Sequence, residues 1–279
     1  MKTRILTALI ALPIIVASIV LPVYWRPGIW LFVAIAGFAL GAGLFEFYSL
    51  TKKLELKADA GLGYLGAAVL FVGFLFDAPA KQPDLILASL AAFFIALLIT
   101  QTFRFQNDFS KMLTGIGVTM LGVMYVAFLG GFLISVRTGF EDHFNLSTHL
   151  LGYFFIVIFA SDTGAYFSGR AFGKHKLAPA ISPGKTVEGL VGGIIAASAG
   201  AAIATATFFP ELPYVASIPL AIVLAVVGVL GDLAESAMKR GSKTKDAASI
   251  LPGHGGLLDR LDSLLFGAPI LYYFARYYF

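Results

Sequence analysis

The segment at residues 5–24 reads ILTALIALPIIVASIVLPVY and contains no charged side chain. Its length is about 20 residues, which a helix needs to cross the hydrocarbon core of a bilayer. A secretory signal has a shorter apolar region, of about 7–15 residues, followed by a cleavage site of small residues. No such site precedes the next apolar segment. We therefore predict that this segment is an uncleaved first transmembrane helix.

The composition of the whole chain agrees with a membrane protein. Of its 279 residues, 58% are hydrophobic and 13% are charged, and the mean hydropathy is +0.86. A soluble domain has about 25% charged residues. Cysteine is absent, which excludes a disulfide framework, a thiolate metal site and a cysteine nucleophile. The four histidines are too few to favour a multi-histidine metal site.

Nine apolar segments along the chain predict nine transmembrane helices. They cover residues 5–24, 28–50, 61–76, 84–101, 112–135, 148–167, 187–209, 217–236 and 257–278. The predicted fold class is therefore all-α, and the predicted architecture is a polytopic bundle of membrane helices.

The distribution of lysine and arginine predicts the orientation of this bundle. With the N-terminus inside, only four of the 20 basic residues fall on outside segments, namely Arg26, Lys81, Arg137 and Arg276. Basic residues concentrate in cytoplasmic loops of membrane proteins, so this bias favours a cytoplasmic N-terminus and an outside C-terminus. The net charge of +4 is then explained by topology, and a nucleic-acid partner is not needed to account for it.

The two parts of the sequence differ in their polar content. Residues 1–147 are rich in Leu, Ala, Phe and Gly, and we predict that their helices serve packing, dimer contacts or lipid contacts. Residues 148–279 carry many ionisable groups, and we predict that they form the catalytic transmembrane region. Glu46, near the inner end of the second span, is interpreted as an interfacial residue rather than a ligand.

Asp162 lies late in an apolar span, within the sequence FASDTGAYF. A charged side chain at the centre of a membrane helix costs about 2.5–3.5 kcal/mol on insertion scales, so such a residue indicates a function or a partner by default. We interpret Asp162 as a functional residue. A structural hydrogen bond to a neighbouring helix is the alternative.

The sequence SPGKTVEG, which starts at Ser182, resembles a phosphate-binding loop in part. The Walker A motif needs a glycine where this chain has Pro179, and no strand is predicted before it, so a P-loop is excluded. We expect Ser182, Lys185 and Thr186 to lie at the start of a helix, where backbone N–H groups and a lysine can bind phosphate. Glu188 could cap that helix or lie near a cation. Lys185 fits a topology-setting lysine equally well.

The densest group of ionisable residues lies on the last two predicted helices. Asp232, Glu235 and Lys239 are spaced i, i+3 and i+7, so they share one face of a helix. Asp259 and Asp262 are one turn apart at the start of the last helix. Carboxylates beside lysine and arginine supply what Mg²⁺ and a polyphosphate need together. We therefore predict that the two helix ends present carboxylates to a common site.

These residues belong to stretches that resemble a known family. SAMKRGSKTKD at residues 236–246 and ILPGHGGLLDRLD at residues 250–262 resemble the signature of the phosphatidate cytidylyltransferases, also called CDP-diacylglycerol synthases. That signature contains a serine, then Lys-Arg, Lys-Asp, His-Gly-Gly and Asp-Arg-x-Asp, and every element is present. DTGAY, GKHK and SPGKT, further upstream, also fit the family pattern. The resemblance covers roughly residues 150–279.

The resemblance implies an activity. CTP and phosphatidate would give CDP-diacylglycerol and pyrophosphate, with Mg²⁺ as the cofactor and a second cation as an option. It also implies a homodimeric integral membrane enzyme. We expect it in the bacterial inner membrane, with its active site facing the cytoplasm. The expected partners are CTP, phosphatidate and membrane lipid, and no nucleic acid.

The resemblance also implies roles for individual residues. By position, Asp232 and Asp259 would bind the metal. The residues assigned to catalysis are Lys239, Arg240, Lys245, Asp246, His254, Arg260 and Asp262. The residues assigned to substrate binding are Asp162, Ser182, Lys185, Thr186, Glu188, Glu235, Ser236, Gly255 and Gly256. Lys239, Arg240 and Lys245 would offset charge on the leaving pyrophosphate. Lys185 or Arg260 would hold the lipid phosphate, whereas Asp246 and His254 would orient groups.

Other classes of membrane protein share some of these features. A CTP- or ATP-dependent lipid or polyprenol kinase is the nearest alternative, because it also binds a nucleotide at the membrane. The CDP-alcohol phosphotransferases are excluded, because their aspartate-rich motif does not occur in the chain. A secondary transporter would also carry carboxylates in membrane helices. The lack of an internal repeat and the position of the charges at one membrane face argue against it.

Overall fold

The structure is a computed structural model, and it describes residues 2–77, 85–105, 109–140, 145–242 and 256–279. Side chains of the first helix are described at residue 9 and from residue 11 onward. Four residues to which the sequence assigns roles, namely Lys245, Asp246, His254 and Gly255, lie outside the described residues.

Helices occupy each of the nine positions that the apolar segments predict. In chain order they are α1 (Lys2–Tyr24), α2 (Ile29–Lys53), α3 (Ala60–Phe76), α4 (Leu85–Arg104), α5 (Met112–Gly122), α6 (Leu129–Gly139), α7 (Leu146–Phe172), α8 (Val187–Thr207), α9 (Tyr214–Gly241) and α10 (Leu258–Tyr278). α5 and α6 share one predicted span, because the π-helical turn Val123–Phe128 joins them without a break.

The length and composition of these helices are those of an integral membrane protein. Among the described residues, six helical stretches are long and apolar enough to cross a bilayer: Arg26–Lys53, Leu85–Arg104, Phe109–Gly139, Leu146–Phe172, Val187–Thr207 and Tyr214–Gly241. α3 and the apolar part of α1, Ala11–Tyr24, are shorter. The predicted all-α membrane fold is confirmed. The number of nine spans and the orientation stay predictions.

The π-helical turn lies where three helices meet. The ring of Tyr125, within this turn, packs against Phe47 of α2 and Phe266 of α10, with both pairs of ring centroids 6.3 Å apart. A π turn adds about one residue to a helix, which changes the face that the following residues present. The turn thereby directs Gly130 of α6 toward Leu40 and Leu265.

Small residues allow α7 and α8 to pack closely along their length. A Cβ atom added to Gly164 of α7 would collide with the Cβ atom of Ala196 and would lie 2.8 Å from the carbonyl oxygen of Gly192. Such a close approach of two backbones is typical of membrane helix pairs that present small residues to each other. The contact fixes α7, which carries Asp162, against the start of α8.

A short β-hairpin lies between α7 and α8. Strand β1 (Lys176–Ala178) pairs antiparallel with strand β2 (Ser182–Thr186), in a register that places Lys176 opposite Thr186. The prediction that no strand precedes this helix was wrong, because the hairpin is too short to give an alternating pattern in the sequence. Ser182 and Lys185 therefore lie in β2 rather than at the start of a helix.

Thr186 is the residue that ends the hairpin and begins α8. Its hydroxyl oxygen accepts a hydrogen bond of 3.1 Å from the backbone N–H of Gly189. A threonine in this position satisfies one of the N–H groups that a helix leaves without a partner in its first turn. The predicted position of Thr186 at a helix start is confirmed.

Candidate active site

A cavity of about 500 Å³ lies among α7, α8, α9, α10 and the hairpin. Each of these elements contributes side chains to it, and charged groups of both signs are present. The lining residues are Asp162, Ala165, Tyr166, Gly169, Arg170, Leu177, Gly184, Lys185, Thr186, Gly189, Leu190, Val229, Asp232, Asp259, Arg260, Asp262 and Ser263. The structure thus brings together residues that are up to 101 positions apart in the chain, from 162 to 263.

One face of α7 supplies three polar side chains to the cavity. Asp162, Tyr166 and Arg170 are spaced i, i+4 and i+8, so they lie above one another along the helix. A guanidinium nitrogen of Arg170 donates a hydrogen bond of 3.1 Å to the Tyr166 hydroxyl. The sequence analysis assigned a role to Asp162 alone. The same helical spacing would have indicated the other two residues.

An ion pair joins the hairpin to α9. The Lys185 ammonium nitrogen lies 2.7 Å from a carboxylate oxygen of Asp232 and donates a second, longer hydrogen bond to the Val229 carbonyl oxygen at 3.4 Å. The Ser236 hydroxyl, one turn farther along α9, donates to the other Asp232 oxygen at 3.2 Å. Contacts on two sides therefore orient the Asp232 carboxylate. The ammonium group of Lys185, on β2, faces the acidic part of the cavity.

A second ion-pair network joins α9 to α10. The Lys239 ammonium group lies 2.9 Å from a carboxylate oxygen of Glu235, one turn earlier on the same helix. It also pairs with the carboxylate of Asp259 at the start of α10. The expected convergence of carboxylates from the two helix ends agrees with the cavity, which Asp232 of α9 and Asp259 and Asp262 of α10 line. The catalytic and binding roles of these residues stay predictions.

Three carboxylates in this region form a group that suits a metal ion. One carboxylate oxygen from each of Asp232, Glu235 and Asp262 lies within 4.8 Å of the others. The Asp262 and Glu235 side chains are buried, and within the described part of the chain Oε1 of Glu235 has no hydrogen-bond partner. Clustered carboxylate oxygens are the ligands that Mg²⁺ prefers. The donor set therefore fits a divalent cation.

The resemblance assigns the metal to Asp232 and Asp259, and both residues line the cavity. Asp259 is paired with Lys239, whereas Asp262 and Glu235 each place a carboxylate oxygen within 4.8 Å of one from Asp232. The assignment of the metal to Asp232 and Asp259 stays a prediction. Asp262 and Glu235, to which the sequence gave a catalytic and a substrate-binding role, are further candidates for ligands.

Glu188 holds the loop before the hairpin and does not line the cavity. Its carboxylate accepts hydrogen bonds from the backbone N–H groups of Lys174 at 3.1 Å and His175 at 3.2 Å. It also lies 2.6 Å from Nδ1 of the His175 side chain. Its predicted part in binding substrate stays a prediction, and its observed contacts fix the loop that precedes β1.

Arg240 contacts the hairpin from α9. Its Nε donates a hydrogen bond of 3.1 Å to the backbone carbonyl oxygen of Ile181, at the turn between β1 and β2. Ser182 lies next to this turn, in β2. Neither residue lines the cavity, and Gly256, buried just before α10, does not line it either. The observed contact of Arg240 supports the hairpin that carries Lys185.

Glu46 is a residue whose environment the sequence analysis did not foresee. Its side chain is fully buried, and both carboxylate oxygens accept hydrogen bonds from backbone N–H groups, those of Leu257 at 2.9 Å and Leu258 at 2.7 Å. Its place at the membrane interface stays a prediction, whereas its burial against the start of α10 is a finding that the sequence analysis did not include. Its partners are 211 and 212 residues away in the chain, so no local pattern could indicate the contact.

Comparison with known proteins identifies the class of protein. The family model described as the cytidylyltransferase family matches residues 2–278. A membrane cavity that combines a carboxylate cluster with lysine and arginine is consistent with such an enzyme. The chain belongs to the cytidylyltransferase family and is an enzyme of that family.

Curated relatives carry a more specific name. The phosphatidate cytidylyltransferase of Bacillus subtilis (strain 168) is 37% identical to this chain, over 98% of the chain and 97% of the relative. That of Staphylococcus saprophyticus is 36% identical over 97% of both. That of Haemophilus influenzae is 49% identical over 129 residues, 45% of each protein. These matches confirm the resemblance to the phosphatidate cytidylyltransferases.

Proposed function

We propose that the protein transfers the cytidylyl group of CTP to phosphatidate, forming CDP-diacylglycerol and pyrophosphate. The near full-length similarity to enzymes named phosphatidate cytidylyltransferase supports this activity. The observation that carries the proposal is the cavity among α7–α10, which combines the carboxylates of Asp232, Asp259 and Asp262 with Lys185 and Arg260.

The position of the cavity suits one substrate from water and one from lipid. Val187, Val191 and Ile195 are exposed along one face of α8, as expected for a surface that contacts lipid. Gly189 and Leu190, on the same first turns of α8, line the cavity. We propose that the lipid phosphate approaches along α8 and that the nucleotide enters from the side of the hairpin.

The proposed reaction is an in-line displacement at phosphorus. A phosphate oxygen of phosphatidate forms a bond to the α-phosphorus of CTP. The bond from that phosphorus to the α–β bridging oxygen breaks, and pyrophosphate leaves with the bonding electrons. A phosphate monoester has a second pKa of about 6, so the lipid phosphate is largely ionised at neutral pH. The enzyme then needs positioning and charge neutralisation rather than a strong base.

The basic side chains have distinct places around this reaction. Lys185 and Arg260 line the cavity, and we assign them to the lipid phosphate and the reacting phosphate. Lys239 is fixed between Glu235 and Asp259, where it holds the carboxylates of α9 and α10 in position. Preorganised charges of this kind stabilise charge that develops in a transition state without further reorganisation.

A divalent cation completes the proposed site. We propose Mg²⁺, held by Asp232 together with Asp259, Asp262 or Glu235, and a second cation is compatible with the number of carboxylates. When bound, the cation would neutralise part of the negative charge of the triphosphate. The Ser236 hydroxyl donates a hydrogen bond to one oxygen of Asp232. The orientation of the Asp232 carboxylate therefore depends less on its ion pair with Lys185.

We also propose the location and assembly of the enzyme. The bias of lysine and arginine toward inside segments and the bacterial origin of the relatives support a bacterial inner membrane, with the cavity facing the cytoplasm. A homodimer is proposed from the family resemblance alone.

A labelling experiment tests the proposed reaction. Purified protein in detergent is given phosphatidate, Mg²⁺ and CTP that is labelled either on the α-phosphate or on the γ-phosphate. We expect the α-label in the lipid product and the γ-label in pyrophosphate. Transfer of the γ-label to lipid would instead identify a lipid kinase, and no labelled lipid from either nucleotide would overturn the proposal. A reaction without added protein serves as the control.

A further inference from the structure

The start of α10 is anchored by a carboxylate from the N-terminal part of the chain. Glu46, on α2, is fully buried, and its two oxygens accept hydrogen bonds from two consecutive backbone N–H groups, of Leu257 and Leu258. The first N–H groups of a helix have no partner within the helix. A buried N–H group without a partner is costly, so this carboxylate supplies contacts that the helix start requires.

Among the described residues, the side chain that precedes α10 does not cap the helix, and the local contact at this end is a hydrogen bond between the Asp259 carboxylate and the backbone of Gly256. Leu257 precedes the helix in a helical conformation, with φ −73° and ψ −33°, and it makes no side-chain hydrogen bond to the helix. Serine, threonine, aspartate and asparagine are the residues that normally cap a helix start, and leucine cannot. Glu46 thus takes the place of a local cap from a helix that is distant in sequence.

Packing beside Glu46 reinforces the contact. Gly43 lies one turn earlier on α2, and a Cβ atom added there would be 3.3 Å from a methyl carbon of Leu261 and 3.6 Å from one of Leu258. α2 therefore contacts the first turn of α10 through two consecutive turns. Tight packing of this kind leaves little room for the first turn of α10 to shift relative to α2.

The anchored turn carries residues of the cavity. Asp259 follows Leu258 directly, and Arg260 and Asp262 are on the same turn. We propose that Glu46 is a positioning residue: by fixing the N–H groups of Leu257 and Leu258 it sets the place of Asp259 and Asp262 relative to α9. This inference rests on the proposed transfer reaction for its effect on turnover, whereas the anchoring itself does not depend on that reaction.

Two substitutions of Glu46 separate positioning from simple loss of a charge. Glu46→Gln keeps the size of the side chain but replaces one acceptor oxygen with an NH₂ group that faces a backbone N–H. Glu46→Asp keeps both acceptor oxygens on a shorter side chain. A misplacement of about 1 Å in a catalytic group can cost roughly 10²-fold in rate. We therefore expect kcat to fall by about 10- to 100-fold in Glu46→Gln, with a smaller change in KM for CTP, and to recover partly in Glu46→Asp.

Asp59 provides a matched control. It caps α3 by accepting a hydrogen bond of 3.1 Å from the backbone N–H of Leu62, and it pairs with Arg104 at 3.2 Å. α3 contributes no residue to the cavity. Asp59→Asn makes the same change from carboxylate to amide, removes the ion pair with Arg104 and keeps a side chain that can cap α3, and it is expected to leave kcat close to that of the wild type.

Hydrogen–deuterium exchange of the folded proteins gives a readout that does not need turnover. We expect faster exchange at residues 257–262 in Glu46→Gln than in the wild type, with unchanged exchange in α8. Equal exchange at the start of α10, an unchanged kcat in Glu46→Gln, or an equal loss of kcat in Asp59→Asn would each overturn the inference. If Glu46→Gln cannot be purified in folded form, Glu46→Asp is the deciding variant. The inference then requires that Glu46→Asp shows both faster exchange at residues 257–262 and a lower kcat than the wild type, and it is overturned if either is absent. A wild-type protein that makes no CDP-diacylglycerol would refute the proposed function and leave the exchange result to stand by itself.

Discussion

The ammonium nitrogen of Lys185 lies 2.7 Å from a carboxylate oxygen of Asp232. This ion pair spans the cavity from the hairpin to α9, and the Lys185 side chain is mostly buried, with 20% of its surface exposed. In a partly buried site a charge–charge interaction is stronger than at a fully solvated surface. A bound phosphate would compete with Asp232 for the Lys185 ammonium group. A metal ion bound to Asp232 would weaken the Lys185–Asp232 ion pair and so favour the contact between Lys185 and the phosphate.

Removing the charge of Lys185 is expected to impair turnover strongly. Lys185→Met keeps most of the apolar stem but leaves Asp232 without its cation and the reacting phosphates without one neutralising charge. Loss of one preorganised donor at a developing charge costs about 10²–10³-fold in kcat. The measurement is the steady-state rate of lipid labelling from α-labelled CTP. Lys174→Met, in the exposed loop before the hairpin, is the control and should keep wild-type turnover. Equal activity of the two variants would contradict this prediction.

The carboxylates of the cavity are expected to determine the requirement for Mg²⁺. Asp232→Asn and Asp262→Asn each remove a charged oxygen from the group that fits a cation, so we expect lower turnover and a higher Mg²⁺ concentration for half-maximal rate. Asp259→Asn should show the same shift if Asp259 is a ligand. It should lower turnover without that shift if its role is to hold Lys239. Titration of the rate with Mg²⁺ measures both quantities.

The control for the Mg²⁺ titration is Glu211→Gln. Glu211 lies outside the cavity and 3.6 Å from Nδ1 of His149. Its substitution should leave the Mg²⁺ dependence unchanged. Full turnover in both Asp232→Asn and Asp259→Asn would show that the metal assignment taken from the family resemblance is wrong.

The close approach of α9 and α10 predicts a strict size limit at Gly231. A Cβ atom added to Gly231 would lie 2.5 Å from the backbone carbonyl oxygen of Asp262, so the two helices would have to separate. Overpacking of this kind costs about 1–3 kcal/mol. We expect Gly231→Ala to unfold at a lower temperature and to lose turnover, because Asp232 and Asp262 move apart. Gly241→Ala, on the same helix, adds a Cβ atom that would meet no atom of the described residues within 4 Å, and it should be as stable as the wild type or slightly more stable. Wild-type stability and activity of Gly231→Ala would contradict the observed packing.

Arg170 is expected to contribute to the binding of an anionic substrate. Its guanidinium group lines the cavity two turns after Asp162 and contacts the Tyr166 hydroxyl. Because Arg170 is exposed, we expect a moderate effect: Arg170→Gln should raise KM for one of the two substrates by about 3- to 10-fold, as for the loss of one solvated charge contact of about 1 kcal/mol. Arg170→Lys should recover part of that loss. Titration of each substrate in turn identifies which KM changes, and unchanged values for both would exclude the role.

The helices could be predicted from the sequence because lipid imposes a simple rule on it. A segment that crosses a bilayer must be long, apolar and internally hydrogen-bonded, so predicted segments such as 148–167 and 217–236 lie within α7 and α9. The shared face of Asp232, Glu235 and Lys239 followed from the period of the helix in the same way. Both inferences use only local sequence.

The parts of the site that escaped prediction depend on other information. The strands of the hairpin are three and five residues long, and a strand that short gives no alternation to detect. The contact between Glu46 and the start of α10 joins residues more than 200 positions apart. Arg170 is a different case, since its spacing from Asp162 was visible and could have been used.

The π-helical turn at Val123–Phe128 sets a length constraint on the rod formed by α5 and α6. Each residue of an α-helix rotates the chain by about 100°. If the same residues were wound as ordinary α-helix, everything beyond the turn would be rotated by about that angle relative to its present position. Gly130 would then leave its place beside Leu40 and Leu265, and a bulkier neighbour would face that gap. An insertion in this segment would therefore put α6 out of phase with its partners, whereas the deletion of one residue can be absorbed by loss of the π turn.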